Sequence, residues 1–228
     1  MIRHLLQLIW NQRKQNAWLW AELLLVSVFL WFLVDYLYVM GRTYTAPLGF
    51  DIRHTYSIVI SSLSERSPDY IPKEKRERPD GVHLLTALDR IRTYPGVESA
   101  CLTDGGMPYY MGSRNLVWRI DTLQVPCRYA FVTPEFFDVF RIYDKEGETA
   151  SLKRAIEDNN SIVISADVET MNPGLSLLGQ KAYRGNVTDE IEETIRGISV
   201  PIRRHEYTKA EPNVYRALRL SRMEDCLL

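Results

Sequence analysis

Four histidines, His4, His54, His83 and His205, are the first candidates for metal or proton chemistry, and their spacing argues against both. They lie far apart, and no two stand at a metal-ligand spacing. His83 falls in an otherwise apolar helical stretch and reads as a surface or capping residue. The three cysteines, Cys101, Cys127 and Cys226, form no C-x-x-C pair. In an exported domain Cys101 and Cys127 could pair, leaving Cys226 over. No G-x-x-x-x-G-K-[ST] segment is present, so the chain supplies no phosphate cradle of the P-loop kind. Neither a G-x-S-x-G elbow nor an H-E-x-x-H helix occurs. Asp104-Gly105-Gly106 reads as a turn after a strand. The chain is therefore expected to be non-catalytic, with no catalytic, cofactor-binding or metal-ligating residue and no cofactor.

The elements around these residues point to a membrane. Ala17–Val34 reads AWLWAELLLVSVFLWFLV, with Glu22 and Ser27 its only polar side chains. Extended to Met40 it covers about 36 Å as a helix, enough for a hydrocarbon core of about 30 Å. Its 11 Leu, Val and Phe residues each favour insertion by roughly 0.3–0.6 kcal/mol, against at most about 3.5 kcal/mol for one off-centre carboxylate. Trp18, Trp20, Tyr36 and Tyr38 sit near the ends, where interfacial aromatics belong. The region before Ala17 is long and no small-x-small cleavage site follows, so an uncleaved anchor is expected rather than a signal peptide. Glu22 either snorkels to the headgroups or meets a partner helix.

Arg3, Arg13 and Lys14 precede this span without an acid among them, which places the N-terminus in the cytoplasm. Residues 43–228 would then lie outside, in the periplasm of a Gram-negative cell. Ile2, Leu5, Leu6 and Ile9 form one apolar helical face, suited to an interfacial segment or to a longer transmembrane helix. The formal charge of −1 over 228 residues hides a division. Residues 1–42 carry a net +2, leaving −3 for the rest. No basic excess is available for nucleic acid.

In the outer part, Thr55–Leu63 is β-branched and aromatic and reads as a strand. Ser64–Pro79, with its KEKRER run, reads as a solvated loop. Gly81–Tyr94 has helical apolar spacing, with Asp80 as N-cap and Pro95-Gly96 as its stop. Val97–Thr103 reads as a second strand, which completes a strand–helix–strand unit. Leu116–Thr122, Tyr129–Val132, Ile162–Ser165 and Ile195–Ile202 read as further strands. Pro134–Val139, with Thr133 as N-cap, and Ser165–Met171 read as short helices. Asn172-Pro173-Gly174 and Arg184-Gly185-Asn186 mark turns.

The order of several segments carries a resemblance. Behind the single span come VTPEFFDVF (Val132–Phe140), NSIVIS (Asn160–Ser165), LLGQKA (Leu177–Ala182), GISVPIRR (Gly197–Arg204) and EPNVY (Glu211–Tyr215). This set resembles the MacB/FtsX-type ABC transporter permease family, in its MacB-like periplasmic core domain. Two departures stand out: Ala182 replaces the usual Ile of the turn, and Arg196-Gly197-Ile198 replaces the V-x-G-V strand.

The resemblance implies an α+β fold: one N-terminal transmembrane helix, then an extracytoplasmic domain made of half a porter-like βαβ unit and a strand-rich subdomain. The expected divisions are a cytoplasmic amphipathic segment at 1–16, the transmembrane helix at 17–40 and a linker at 41–54. The first half of the porter-like subdomain follows at 55–103, the strand-rich subdomain at 104–220 and a truncated end at 221–228. The implied function is that of a permease subunit, or an N-terminal fragment of one. It would relay ATP-driven movement from a separate cytoplasmic ABC ATPase subunit to the periplasmic domain. The implied partners are that ATPase, a second permease subunit, the lipid bilayer and a periplasmic partner. The alternative is a single-span anchored sensory or ligand-binding domain whose fold is complete near Leu228. An anchored extracytoplasmic enzyme is a third reading, without a legible catalytic constellation.

Overall fold

The computed structural model describes residues 3, 7, 10, 17–60, 63–72, 75, 80–110, 112, 114–158, 160–184 and 191–219. The chain divides into two compact units, Met1–Ala46 and Pro47–Leu228. The apolar face at Ile2, Leu5, Leu6 and Ile9 lies outside the described residues. The first unit holds helix α1, Ala17–Thr45, of 29 residues. At 1.5 Å per residue it is about 43 Å long, and it is long and apolar enough to cross a membrane. No side chain along it is buried. The helix runs five residues past Met40, and the Thr45 hydroxyl donates to the Gly41 carbonyl at 3.0 Å.

The second unit is a mixed domain built on strands β1 (Thr103–Asp104), β2 (Arg114–Ile120), β3 (Leu123–Val132), β4 (Ser161–Ser165), β5 (Lys181–Arg184), β6 (Ile191–Ser199) and β7 (Asn213–Ala217). The sheet order is β1-β3-β2-β5-β6-β4-β7, and β3 also pairs with β7. That last pairing closes β2, β5, β6, β4, β7 and β3 into a six-stranded ring. Two neighbour pairs, β4–β6 and β3–β7, are parallel, and the others are antiparallel. These directions agree around the whole ring, so β2, β4 and β6 begin at one end, where β3, β5 and β7 finish.

Alternation sorts the side chains between two cores. Trp118, Ile120, Val125, Cys127, Ile162, Ile164, Ala182, Ile195 and Val214 fill the ring, with Val168 and Leu177 packed among them. The opposite phase, Ala130, Val132, Val163 and Tyr215, faces outward. It is covered by Phe136, Phe137 and Phe140 and by Leu152, Ala155 and Ile156. These come from helix α3 (Phe136–Val139) with its C-cap Phe140, and from helix α4 (Ala150–Glu157). Gly197 of β6 allows the close approach of α4: a Cβ there would stand 2.9 Å from Val163 Cγ2 and 3.1 Å from Ala155 Cβ. Pro126 is tolerated within β3 because the ladder to β7 starts only at Arg128, leaving one edge of β3 unpaired at Pro126.

Several expectations need correction. The predicted strand Thr55–Leu63 carries no ladder at residues 55–60 or at Leu63, while Ser61 and Ser62 lie outside the described residues. Tyr56 and Val59 are 87% and 86% exposed. β-propensity reports fit to a pleated, half-buried surface, and no described strand lies beside these residues. Of the predicted strand Val97–Thr103 only Thr103 lies in a strand, as the first residue of β1. Only the helix of that strand–helix–strand unit forms, as α2, Asp80–Arg92. Thr133 does not cap α3 through its hydroxyl. Its Oγ1 accepts the Leu102 N–H at 3.1 Å, while its own N–H donates to the Leu102 carbonyl at 3.0 Å. The sequence reading missed α4, β5 and β7 as elements. Helix α5 (Asp167–Met171) starts slightly later than predicted, and β6 starts earlier.

Within the second unit, its first residues are tied to the rest of it. The Leu48 carbonyl accepts the Arg203 N–H at 3.0 Å, and the Asp51 N–H donates to the Phe140 carbonyl at 2.9 Å. Phe50 packs on the outer core and meets the Tyr109 ring edge-on at 5.8 Å. Asp51 pairs with Arg53 at 3.0 Å and Arg141 at 2.8 Å. Arg53, then Arg141, holds its carboxyl well below the usual carboxylate range. Gly49 has φ +82°, and a Cβ on it would overlap the Pro201 carbonyl oxygen. Residues 48–51 thus form a strap tied to the domain by backbone, aromatic and ionic contacts.

Candidate functional site

The histidines stay apart. His54 sits in a turn, His83 is exposed on α2, His205 stacks near Tyr207, and His4 lies outside the described residues. Among the described residues no group of three or more His, Cys, Asp or Glu side chains converges. Cys101 and Cys127 are free thiols in different cores, Cys101 beside the outer one and Cys127 inside the barrel. Burial pushes each thiol up to about 12. Cys226 lies outside the described residues.

The family-like segments turn out to be packing segments. VTPEFFDVF supplies the end of β3 and the phenylalanines of α3, NSIVIS supplies β4, and EPNVY leads into β7. LLGQKA supplies Leu177, fully buried in the barrel, and the start of β5.

Polar chemistry gathers instead at the barrel end where β2, β4 and β6 begin. Alternation places Trp118 of β2, Arg184 of β5, Glu193 of β6, Arg216 of β7 and Tyr129 and Phe131 of β3 on the inward phase there. Register supports this: Trp118 stands opposite Arg184, Ala182 opposite Glu193, and Phe131 opposite Arg216. Glu193 is 3% exposed. Its Oε1 accepts from Arg216 Nε at 2.8 Å and also from Arg216 Nη2. Arg184 Nε lies 3.4 Å from Glu193 Oε2, near enough for an ion pair but without a hydrogen bond. The Arg216 guanidinium sits 5.0 Å from the centre of the Phe131 ring, a cation–π distance. Burial pulls its pKa below the ordinary value, and the Glu193 charge opposes that pull.

A cavity of about 280 Å³ opens between these groups, lined by Leu116, Trp118, Tyr129, Phe131, Arg184 and Arg216. Two buried donors on residues that line it, Trp118 Nε1–H and Arg184 Nε–H, make no hydrogen bond among the described residues, and neither does the neighbouring acceptor Glu193 Oε2. Buried polar groups are nearly always paired, so two orphans facing one cavity mark it out. The mouths of β-barrels are favoured ligand positions. A second cationic cluster, Arg128, Arg203 and Arg204, borders a cavity of only about 20 Å³, room for about one water.

Sequence reading missed Arg184, Glu193 and Arg216 as site residues. The available signal was phase: each continues the inward phase of its strand, after Ala182, before Ile195 and after Val214 respectively.

No protein-family model matches the chain, and no curated protein matches it. Three solved structures resemble it in fold. The periplasmic region of MacB from Actinobacillus actinomycetemcomitans aligns at 10% identity and TM-score 0.40, over 58% of this chain and 54% of that one. A domain of a protein described as a permease from Porphyromonas gingivalis aligns at 18% identity and TM-score 0.44, over 61% and 54%. The extracellular domain of the ABC-type transporter YknZ from Gram-positive bacteria aligns at 12% identity and TM-score 0.40, over 58% and 60%. The alignments thus span little more than half the length of each of these chains.

Proposed function

We propose that the chain is the membrane (permease) subunit, or the N-terminal part of one, of an ABC transporter of the MacB/FtsX type. Helix α1 anchors it in the bacterial inner membrane, with its N-terminus cytoplasmic and residues 43–228 periplasmic. The observation that carries this reading is the strap. An apolar 29-residue helix leads within three residues into Leu48–Asp51, which is bonded to Arg203, Phe140 and Arg141. A helix displaced in the membrane would pull directly on the outer domain through that strap. The ordered segments from Val132 to Tyr215 support the same reading. ATP hydrolysis belongs to a separate cytoplasmic ATPase, and a second permease subunit completes the assembly.

In this reading residues 55–103 are the first half of a porter-like subdomain and 104–220 its strand-rich neighbour. Affinity purification of the tagged protein from detergent-solubilised membranes of its own cells tests the assignment. Recovery of an ATPase bearing G-x-x-x-x-G-K-[ST] is expected. Its absence after chemical cross-linking of intact membranes would overturn it.

The barrel-mouth cavity favours a second reading, an anchored ligand-binding or sensory domain. That reading predicts a bound small molecule and no ATPase in the same purification.

A further inference from the structure

We infer that the barrel mouth binds a small organic monocarboxylate, its carboxylate held by Arg184 and the Trp118 indole N–H and its apolar body seated against Tyr129, Phe131 and Leu116. The site stands whichever functional reading holds, because it is built wholly within the barrel.

Three observations lead there. First, the donors outnumber the acceptors. Arg216 and Glu193 satisfy each other through Oε1, while Trp118 Nε1–H, Arg184 Nε–H and the Glu193 Oε2 that lies 3.4 Å from it make no hydrogen bond, two donors against one acceptor. Trp118 is fully buried and lines the cavity, and an indole N–H buried without an acceptor carries a cost. Trp118 and Arg184 are direct cross-strand partners on β2 and β5, which puts both donors on one side of the space. Second, the local charge is cationic. Arg184 and Arg216 face one carboxylate, and the charge of Arg219 also acts on Arg216. An anion is the complementary guest, and a guanidinium presents a planar fork that matches a carboxylate. Third, the rest of the lining beside Trp118, Arg184 and Arg216 is Leu116, Tyr129 and Phe131. A phosphate dianion would lose its hydration against such walls with few donors to replace it. A monoanion carrying an apolar group gains from both halves of the pocket. The cavity of about 280 Å³ lies near the lower end of ligand-site volumes, which suits one aromatic amino-acid residue or an acid of that size.

The carboxylate could belong to a free acid or to the C-terminus of a peptide, and the test separates them. The full 228-residue chain, purified in detergent, is titrated calorimetrically with N-acetyl-phenylalanine, with its carboxamide and with inorganic phosphate. The acid is expected to bind with Kd at or below about 1 mM, the range open to a ligand of this size. The amide and phosphate should each bind at least tenfold more weakly. Arg184→Met should weaken the acid at least tenfold, and Arg184→Lys, which keeps the charge but not the fork, by an intermediate factor. Glu193→Gln removes the competing carboxylate and should tighten binding at least threefold. Should Arg184→Met fail to fold, the Lys and Gln variants decide the matter. N-acetyl-Gly-Gly-Phe binding as tightly as the single residue assigns the site to peptide ends; tenfold weaker binding assigns it to free acids. Equal binding of acid and amide, tighter binding of phosphate, or an unchanged Kd in the Arg184 variants would overturn the proposal.

Discussion

Gly49→Ala tests the strap Leu48–Asp51, which ties the start of the second unit to the rest of that unit. Residue 49 holds φ +82°, and an added Cβ would overlap the backbone oxygen of Pro201. Side-chain rotation cannot relieve a clash with backbone. The protein therefore has two responses. Keeping the strap means a non-glycine residue at positive φ, about 1–3 kcal/mol, plus displacement of Pro201 and its neighbours. Releasing it forfeits the Leu48–Arg203 and Asp51–Phe140 backbone bonds, at about 1 kcal/mol net each. It also forfeits the partial burial of Phe50, about another 1 kcal/mol. The exposed Asp51–Arg141 pair adds little, so release caps the cost at about 3 kcal/mol.

If strap and barrel unfold together, that cost lowers Tm by roughly 6–12 °C for a domain of this size. If the strap opens alone, Tm holds and amide exchange at Asp51 and Arg203 rises about 100-fold, the factor that 3 kcal/mol represents. Differential scanning calorimetry with hydrogen–deuterium exchange reads both. Gly96→Ala is the control, because Gly96 has φ +91° but open space where its Cβ would go. It should carry the strain alone and leave exchange at Asp51 and Arg203 untouched. An unchanged Tm together with unchanged exchange at both amides in Gly49→Ala would refute the strap.

Three further outcomes follow from the packing and the buried groups. Gly197→Ala should cost about 1–3 kcal/mol by overpacking, because its Cβ meets Val163 and Ala155 at 2.9 and 3.1 Å; a chemical-denaturation midpoint equal to the parent's would contradict the described α4 contact. Burial raises the pKa of Asp167 above its ordinary value, so its contribution favours folding at pH below that value and is lost as pH rises through the raised one. Asp167→Asn should therefore gain stability relative to the parent between pH 4 and pH 7, and a constant difference over that range would argue against it. Both described thiols are pushed up to about 12 by burial, so in a Cys226→Ser chain neither should react with Ellman's reagent at pH 8 until denaturant is added; fast native labelling would place one of them at the surface.

The legible parts of the fold were those with an unbroken apolar phase. Leu116–Thr122 and Ile162–Ser165 announced β2 and β4 because every inward position there is hydrophobic. The missed strands, β5 and β7, are short and each puts an arginine on the inward phase, Arg184 and Arg216, which breaks the alternation that marks a strand. Closure of the barrel was also hidden. It rests on parallel pairing of Arg128–Val132 with Asn213–Ala217, a long-range contact with no local signature. Helix α4 was within reach, since Leu152, Ala155 and Ile156 stand at i, i+3 and i+4. Residues 55–60 erred the other way: Tyr56, Ile58 and Val59 have strand chemistry but no neighbouring ladder, and propensity cannot supply one.

The same distinction bears on function. The segments that resemble a family, VTPEFFDVF and NSIVIS among them, build the two cores, and a core specifies a shape without specifying an activity. The candidate site lies where the inward phase turns polar, at Arg184, Glu193 and Arg216. Half-burying two arginines around a buried glutamate adds little net stability even when they pair well, and leaving Arg184 Nε, Trp118 Nε1 and Glu193 Oε2 without hydrogen bonds adds a further penalty. Apolar residues at the same positions would have extended the barrel core without that penalty. A barrel selected for stability alone would close its mouth with leucines. The charged mouth is therefore best explained by something that visits it, and an entering carboxylate would add acceptors beside Arg184 and Trp118.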